Sequence, residues 1–515
     1  MNSKATRDKR SRRKKRDRAS VNPPLSVEVA EKRPFAPASV LTEAQIDLVH
    51  EYSMRVLEEI GLEFMLPEAW DILEQSGAIV DRDTGLTKMP RSLVESSIAK
   101  APSKFQLVSA NPVNSFTIGG DNIRYGSVAS APNVLDTERG RRPGDFESFR
   151  DLLKISHQLD TCTFMSGYPV EPVDVAVNVR HLECYREMLT LTDKPFRIYA
   201  IGETRVTDAL EMIGIAHQID RDELKRHPRT LTNLNVNSPL KVDGPLLTGA
   251  IQMALNKQIV VVTPVAFAGA MSPITLSGSL VQFNAECLGV IAFLQMLSPG
   301  TPVMYGTVIS NIDMKSGAPT FGTPEMVTGM IATGQLARRY DVPMRGYLCS
   351  SSKAVDAQAA YETEVSLWAN ILAGVHLVFH AHGFLDAALI SSYEKAVLDA
   401  DLIGMMQATP PTIDFSDLDE AFEAIRDVGP GGHYLGAAHT MERYRTAFYR
   451  SSLSDWQPYE HWVSSGSVET SERARDAWHS LLDGYTKPDI EPEIRRLLDE
   501  FVERRRREIG SDELT

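Results

Sequence analysis

The chain has 515 residues, of which 43% are hydrophobic and 24% charged, and its formal net charge is −14. This length allows one large domain with additions, or two domains, around a sizeable core. The acidic balance argues against nucleic acid as the main ligand, because phosphate binding needs a positive surface. No uninterrupted apolar run approaches the roughly 18 residues of a membrane span, so we expect no membrane association.

The N-terminus and the cysteines indicate the compartment. The chain begins with charge and lacks the apolar segment of a secretory signal. Its four cysteines, Cys162, Cys184, Cys287 and Cys349, lie far apart and form no C-x-x-C pair. This usage predicts reduced thiols in a cytoplasmic protein.

Ten Lys and Arg residues fall between positions 4 and 18, ahead of a Pro-containing stretch. Such a basic tail can bind nucleic acid or an acidic partner. Its composition is equally typical of a solvated, disordered segment. We predict a disordered tail over residues 1–38.

An N-terminal helical and strand-containing subdomain is predicted over residues 39–150. Thr42 and Gln45 have the spacing of a capping box, and the apolar residues that follow recur at helical intervals. Gly61 supplies a stop for this first helix. Further along, Asp121–Gly126 and Asn133–Asp136 have strand-like composition.

From residue 151 to 450 apolar runs alternate regularly with long amphipathic stretches. Eight strands are predicted: Cys162–Gly167, Phe196–Ile201, Leu231–Val236, Ile259–Val265, Pro302–Val308, Met344–Leu348, Val375–Phe379 and Tyr434–Ala438. The intervening helices are predicted at 203–218, 275–297, 325–340, 356–373 and 391–406. This count predicts an α/β protein with a (β/α)8 TIM-type barrel. An open doubly wound sheet is the alternative, although no G-x-G-x-x-G follows any strand. Residues 451–515 are predicted to form a C-terminal helical extension packed on the barrel.

Reactive groups in such barrels lie just after the carboxyl ends of the strands. Reading those positions selects Tyr168, Tyr199, Glu203, Asn235, Phe267, Tyr305 and Tyr347 as substrate-contacting candidates. Several rings converging on one mouth would suit a cationic ligand such as a quaternary ammonium. Ordinary core aromatics remain the alternative for any single ring.

Three histidines, His376, His380 and His382, share parity on one predicted strand and are expected to point to the same side. Three imidazoles with an open position could bind catalytic zinc, but H-x3-H-x-H is a weak signal. A hydrogen-bonding or acid–base role for His380 or His382 is favoured over metal binding. His433 and His439 are expected to be structural, and Cys349 has no defined base partner.

Several ordered blocks resemble the trimethylamine methyltransferase family. They are Leu57–Gly61, Ser272–Leu280, Asn284–Glu286, Ser298–Val303, Gly322–Glu325, Gln335–Tyr340, Val342–Pro343, Ser351–Ala359 with Tyr361 and Glu362, His433–Leu435, His439–Thr440, Trp462, Gly466 and Glu472–Ala474. The resemblance runs from about residue 40 to 505.

The resemblance implies a barrel enzyme that transfers a methyl group from a methylated amine to the Co(I) of a cognate corrinoid protein. Archaeal members carry pyrrolysine near the segment matched here by Gly346–Lys353, whereas this chain has only standard residues there. Members without pyrrolysine resemble demethylases of quaternary amines such as glycine betaine. We therefore expect a betaine-type substrate, a corrinoid carried by a partner protein, no bound metal and a homo-oligomer.

Roles follow from that expectation. His380, His382 and Tyr347 are the catalytic candidates, and Arg345 and Gln358 join the substrate-contacting set, Arg345 as a partner for a carboxylate. A salt-bridged structural arginine is the alternative for Arg345. Two other functions remain open: a metal-dependent hydrolase or lyase using His376, His380 and His382, and a non-catalytic betaine-binding or regulatory protein.

Overall fold

The computed structural model describes residues 32–510. The basic tail predicted over residues 1–38 therefore lies almost wholly outside the described residues. Where the description begins, Arg33 donates hydrogen bonds to the carbonyl oxygens of Gly120 and Asn122. These contacts attach the start of the described chain to the main body.

The first helix spans Glu43–Arg55 and confirms the predicted cap. Thr42 and Gln45 form both bonds of a capping box, which satisfies backbone donors that the first helical turn leaves unpaired. A π-helical turn continues to Ile60, and Gly61 ends it with φ +95. A Cβ at Gly61 would lie 2.5 Å from the carbonyl oxygen of Thr87, so only glycine fits this stop.

Small antiparallel and mixed sheets surround the main one. The first contains the strands Lys241–Val242, Leu62–Phe64, Leu86–Lys88 and Ile79–Asp81. The second contains Phe105–Leu107 and Phe116–Ile118. The third contains Phe384–Leu385, Ile390–Ser392, Asn133–Asp136 and Gly140–Pro143. The third sheet includes the segment Phe384–Leu385, which directly follows the main-sheet strand Leu377–His382.

The main sheet has seven strand segments, all parallel to their neighbours. Leu231–Val236 pairs with one edge of Ile259–Ala268. Val303–Gly306 and Val308–Asn311 pair with its other edge in a single register, as two halves of one strand interrupted at Thr307. The order then continues through Met344–Tyr347 and Leu377–His382 to Arg124–Ser127. The chain is thus an α/β protein built on a parallel sheet. Its strand Arg124–Ser127 comes from the part of the chain before residue 150, where a separate subdomain was predicted.

Single parallel bridges lie between the two outer strands. Gly126 pairs with Phe164, Met165 with Phe196, and Arg197 with Leu231. The predicted strands Cys162–Gly167 and Phe196–Ile201 are present only as these bridges. Glycine at position 126 permits the close approach of these segments, since a Cβ there would lie 2.2 Å from Ser166 Oγ.

Helices pack outside the sheet, and the five that were predicted between strands are among them. They span Pro67–Gln75, Arg91–Ile98, Phe146–Gln158, Arg180–Leu191, Gly202–His217, Arg221–Arg226, Gly244–Leu255, Leu276–Leu297, Pro324–Arg339, Ala357–Ala373, Tyr393–Gln407, Leu418–Val428, Ala438–Arg443, Tyr459–Ser464, Thr470–Asp483 and Pro492–Ile509. Leu276–Leu297 is long and apolar enough to cross a bilayer, but 78% of its most apolar window is buried inside the protein. It is a core helix.

The eighth predicted strand, Tyr434–Ala438, is wrong. Residues Tyr434–Gly436 form a short 3-10 helix, and no residue from 408 to 450 is buried. The apolar composition that suggested a strand therefore faces solvent. The last helix, Pro492–Ile509, packs against Arg180–Leu191 and Gly202–His217 on the outside of the sheet.

Inside the sheet, a separate apolar cluster closes off the ends at which the strands begin. It contains Leu107, Phe116, Ile118, Phe164, Leu231, Ile259, Val261, Met304, Leu377 and Phe379. These side chains form a dry floor, above which the interior residues become polar.

Candidate active site

A bulge in strand Leu377–His382 determines where its histidines point. Val378 pairs with Tyr125 and His382 pairs with Ser127, so four steps along one strand match two along the other. Within the bulge His380 has φ +59, a left-handed conformation that costs a non-glycine residue about 1–2 kcal/mol. Such strain persists where the surrounding structure holds a side chain in place for function.

Two arginines accompany His380: Arg345 on the adjacent strand, and Arg197 on a segment that bridges to Leu231. Arg345 is 2% exposed and Arg197 is 6% exposed. The guanidinium of Arg345 lies 4.6 Å from the ring centre of Phe379, in the apolar floor, and Nη1 donates to the carbonyl oxygen of Thr307 at 2.9 Å. Arg197 Nη2 donates to Ser130 Oγ at 3.1 Å. Across residues 32–510, neither arginine forms an ion pair with a carboxylate.

Positive charge dominates the electrostatics of this cluster. Burial, and then the charge of Arg197, lowers the pKa of Arg345 to about 9. Burial, followed by the charges of Arg345 and Arg197, holds the pKa of His380 well below its usual range. His380 is therefore neutral, while Arg345 keeps its charge near pH 7.

Several buried polar atoms of this interior have no hydrogen-bond partner within the described part of the chain. They are Arg345 Nε, Arg197 Nε, His380 Nδ1, Thr307 Oγ1 and Asn233 Oδ1. Most buried polar groups are paired, since an unmade bond costs about 1–3 kcal/mol. Five such atoms in one interior indicate a binding site for a polar ligand.

Aromatic rings line two sides of the same interior. On one side, the ring centres of Tyr168 and Tyr199 are 4.4 Å apart, and Arg197 lies 4.4 Å from the Tyr199 centre. On the other, Phe321 makes edge contacts with Phe267 at 6.2 Å and with Tyr347 at 5.8 Å. Such rings can contact a cationic or methyl-bearing group.

Glycine at position 167 allows the first of these groups to assemble. A Cβ there would lie 2.4 Å from Tyr199 Oη and 2.7 Å from Arg197 Nη2, and its φ is +141. Any larger residue would displace the tyrosine and the arginine together.

Some predicted site residues do not face this interior. Tyr305 is directed outward and donates to Asn284 Oδ1 at 2.6 Å, inside the helix layer. Glu203 is exposed and lines an external groove with Leu210 and Phe501. These placements leave both without contact to the arginines. Asn235, by contrast, shares strand parity with Asn233 and is exposed at the open end.

The expectation that three histidines face one side is wrong. His376 accepts from the Met344 N–H and donates to the Gly120 carbonyl oxygen, whereas His382 donates to the Gly126 carbonyl oxygen and accepts from Thr161 Oγ1. The bulge breaks the alternation that parity assumes. Among residues 32–510 there is no group of three potential ligands that could hold a metal ion. Cys349 is also buried, and burial raises the pKa of its thiol.

Glu362 orders the loop that follows Arg345 and Tyr347. One carboxylate oxygen accepts from Ser350 Oγ at 2.7 Å and from the Ser351 N–H at 2.6 Å, and the other accepts from Gln358 at 2.8 Å. Gln358, predicted to contact substrate, therefore supports this loop.

We expect Glu362→Ala to lower the free energy of unfolding by about 1–3 kcal/mol, because buried donors lose their acceptor. Amide hydrogen exchange should rise at residues 350–352 while the strand itself stays protected. The exposed Glu364→Ala is the matched control. Unchanged exchange at residues 350–352 would contradict the role given to Glu362.

Histidines with lowered pKa values predict acid sensitivity. Burial lowers the pKa of His217, His376 and His382 to about 4. In the unfolded chain a histidine titrates near ~6.5, so unfolding takes up protons below that pH. Stability is expected to be complete above pH ~6.5 and to fall toward pH ~4, by up to about 1.4 kcal/mol per pH unit for each histidine.

Denaturation at a series of pH values measures this slope. His217 Nδ1 has no partner, so His217→Gln removes a titrating group with little loss of bonding. The variant should lose the share of the histidine slope that His217 contributes. An identical slope in the variant would show that other groups govern acid unfolding.

The sequence reasoning missed Arg197, Ser130, Asn233, Thr307 and Phe321. Arg197 and Asn233 carried a usable signal, since each is a polar residue within an otherwise apolar strand run. Thr307, inside the predicted strand Pro302–Val308, carried the same signal. Ser130 and Phe321 lie on connecting segments, where only the folded chain brings them near the site.

A parallel α/β sheet whose polar, ring-lined interior opens at the strand ends defines an enzyme that binds a small molecule inside its sheet. The sequence profile of the trimethylamine methyltransferase family matches residues 6–510. The chain therefore belongs to the trimethylamine methyltransferase family, as its motifs predicted, and is an enzyme of the methyltransferase class.

Named relatives cover nearly the whole chain. The glycine betaine methyltransferase of Desulfitobacterium hafniense (strain Y51) is 35% identical over 92% of this chain and 98% of its own. The trimethylamine methyltransferase MttB of D. hafniense (strain DSM 10664 / DCB-2) is 30% identical, over 91% and 94%. The proline betaine:corrinoid methyltransferase of Eubacterium limosum is 27% identical, over 89% and 96%.

Proposed function

We propose that this enzyme transfers a methyl group from a betaine-type quaternary amine to the Co(I) of a corrinoid carried by a cognate partner protein. The observation that carries the proposal is the pair of buried arginines, Arg197 and Arg345, without a carboxylate partner beside neutral His380. A substrate carboxylate would supply the missing negative charge.

The same pair favours a betaine over trimethylamine as substrate. Trimethylamine has no acidic group, so binding it would leave two buried positive charges uncompensated, an arrangement that costs several kcal/mol. A carboxylate accepts charge-assisted, bidentate bonds from guanidinium groups. The name of the 35% identical relative, glycine betaine methyltransferase, agrees with this choice.

The quaternary nitrogen requires neutral and aromatic neighbours. Tyr199 lies on one side of the interior, and Phe267, Phe321 and Tyr347 on the other. Neutral His380 adds a polar contact without a repelling charge. Tyr347 is anchored by the bond from its hydroxyl to the Ile309 carbonyl oxygen at 3.0 Å, so its ring has a defined position.

The protein's part in the reaction is positioning and exclusion of water. The corrinoid, bound to its partner, supplies the nucleophile that accepts the methyl group. Arg345 and Arg197 hold the carboxylate, and the rings orient one N-methyl group toward the open end marked by exposed Asn235. A quaternary nitrogen already leaves as a neutral amine, so no general acid is required.

Within this proposal His380 and Tyr347 touch the substrate, together with Arg345, Tyr199, Phe267 and Asn235. Tyr168 supports Tyr199, whose hydroxyl accepts from the Tyr168 N–H at 3.1 Å. His382 is a positioning residue, because it holds the bulge through Gly126 and Thr161.

We also propose that the sheet closes as a (β/α)8 barrel. The three bridges at Phe164, Met165 and Arg197 support an eight-strand ring in which Arg124–Ser127 is the first strand. The division would then be a tail at 1–38, an N-terminal part up to about residue 120, the barrel, and the helical extension at 451–515. A cytoplasmic location and a homo-oligomeric state belong to the same proposal.

The experiment is loss of the Co(I) absorbance of a reduced corrinoid protein on adding enzyme and one substrate. Glycine betaine and proline betaine are compared with choline, which keeps the quaternary nitrogen but has a hydroxyl in place of the carboxylate, and with trimethylamine. Loss with a betaine alone supports the proposal. Equal rates with choline and a betaine would contradict a carboxylate-binding site. If no substrate caused loss of the Co(I) absorbance, the proposed reaction would be wrong.

A further inference from the structure

The segment from residue 408 to 450, named here the apolar arm, is built unlike the rest of the chain. None of its 43 residues is buried, although it contains the helices Leu418–Val428 and Ala438–Arg443. Ten large hydrophobic side chains are exposed on it: Ile413, Phe415, Leu418, Phe422, Ile425, Tyr434, Leu435, Met441, Tyr444 and Phe448.

Polar contacts hold the two helices of the arm together. His439 Nε2 and Asp417 are 3.1 Å apart, and Arg443 pairs with Glu420. The apolar side chains point away from these contacts. Leu418, Phe422 and Ile425, spaced along one face of the first helix, are each more than half exposed. The arm is thus folded with its polar side inward, which leaves its apolar side for another surface.

We propose that the apolar arm docks on a second copy of this chain. Large exposed apolar patches are rare on monomers and mark contact surfaces. A fully buried aromatic side chain covers about 150–250 Å². Ten side chains at roughly half that value approach the ~800 Å² per partner of a standard interface. A patch of this size needs a partner that is always present, and a second copy is present at equal concentration.

The charges of the arm suit pairing about a two-fold axis. Its first half is acidic, with Asp419 and Asp427, and its end is basic, with Arg445 and Arg450. Among residues 32–510 these four groups form no ion pair. In an antiparallel arrangement the acidic half of one arm meets the basic end of the other, twice over, as a two-fold interface requires.

The root of the arm favours a second copy over the methyl-accepting protein. The preceding helix, Tyr393–Gln407, begins beside the carboxyl end of strand Leu377–His382, where the Ser392 N–H donates to the Gly383 carbonyl oxygen, and it packs along that strand. Its 15 residues carry the chain about 22 Å, toward the end opposite the site opening. A protein that must reach the opening is poorly placed to cover the arm.

Sedimentation velocity of the full chain tests the proposal without any substrate. One chain has a mass of 57.0 kDa, and the wild type is expected at twice that mass or a multiple of it. Phe422→Glu/Ile425→Glu should shift it toward the single chain with an unchanged circular dichroism spectrum. Val113→Glu/Ile274→Glu, at two exposed apolar positions outside the arm, should keep the wild-type mass.

Cross-linking keeps the proposal testable if the double variant misfolds. All four native cysteines are buried, so Leu435→Cys, at a position 80% exposed, provides the accessible thiol. A bifunctional maleimide should join two such chains, and Val113→Cys should not be joined. A wild type that sediments as one chain, or a Phe422→Glu/Ile425→Glu variant that keeps the wild-type mass, overturns the proposal. Covering of the arm only after a corrinoid protein is added overturns it as well.

Discussion

Arg345→Met is expected to lower kcat/KM for a betaine by at least ~30-fold, and mainly through KM. The substitution leaves the substrate carboxylate without a buried, charge-assisted partner, a loss of about 2–5 kcal/mol. Methionine reproduces the aliphatic stem of arginine, and its sulfur packs favourably against an aromatic ring such as Phe379, so the apolar floor stays packed. The measurement is the rate of Co(I) loss as a function of betaine concentration.

The same variant has a second expected effect, opposite in sign. In the ligand-free enzyme Arg345 is a buried charge without a carboxylate, so its replacement should raise the free energy of unfolding. Lower activity with higher stability is the signature of a ligand-binding group. If Arg345 were only structural, its replacement would lower both the activity and the stability.

The control for this prediction is Arg82→Met, which removes an exposed arginine from a surface ion pair. It should leave both rate and stability nearly unchanged. Choline provides the substrate control, because any residual rate with it should not depend on Arg345. Unaltered betaine turnover by Arg345→Met would exclude a carboxylate contact at this position.

Asp399→Leu is expected to destabilise the fold by about 3–5 kcal/mol, because it strands a buried lysine. Lys395 and Asp399 form an ion pair with side chains 1% and 3% exposed, and Lys395 also donates to Thr363 Oγ1 at 2.7 Å. Asp399 accepts the Gly383 N–H at 2.7 Å, just after the bulge that carries His380. The loss should therefore reach the site as well as the stability.

Two further variants separate the contributions of charge and hydrogen bond. Lys395→Met/Asp399→Leu removes both charges and should recover much of the lost stability. Asp399→Asn keeps an acceptor for Gly383 and should recover the position of the bulge. Denaturant midpoints measure the first effect, and betaine turnover the second. A double variant no more stable than Asp399→Leu would refute the stranded-charge explanation.

Local patterns predicted the regular elements well. The capping box at Thr42 and the helices near 203–218, 275–297 and 356–373 depend on spacing over a few turns, which the chain carries in itself. The wrong predictions concern segments whose structure depends on contacts with distant parts of the chain. Tyr434–Ala438 has the composition of a strand, but it does not pair with any strand of the described chain. Its first three residues, Tyr434–Gly436, form a 3-10 helix on the exposed arm.

Part of the candidate site could be expected from the sequence. Tyr347, Tyr199 and Phe267 were selected because positions near strand ends can be counted along a chain. His380 was selected from the histidine pattern, and Arg345 because it directly precedes a segment that resembles the family. Tyr305 occupies a comparable position but points into the helix layer. Strand parity cannot reveal a bulge, and for that reason the three histidines were expected together and are apart.

By itself, the sequence determined the family and the alternation of helices and strands, because both depend on contiguous or regularly spaced residues. Only the tertiary structure decided that Arg197 and Arg345 lie buried without a carboxylate beside a neutral histidine. The two arginines are 148 positions apart in the chain, and whether a charge has a partner depends on distances across the fold. Burial then sets the protonation state of His380, a property that belongs to its surroundings rather than to the residue.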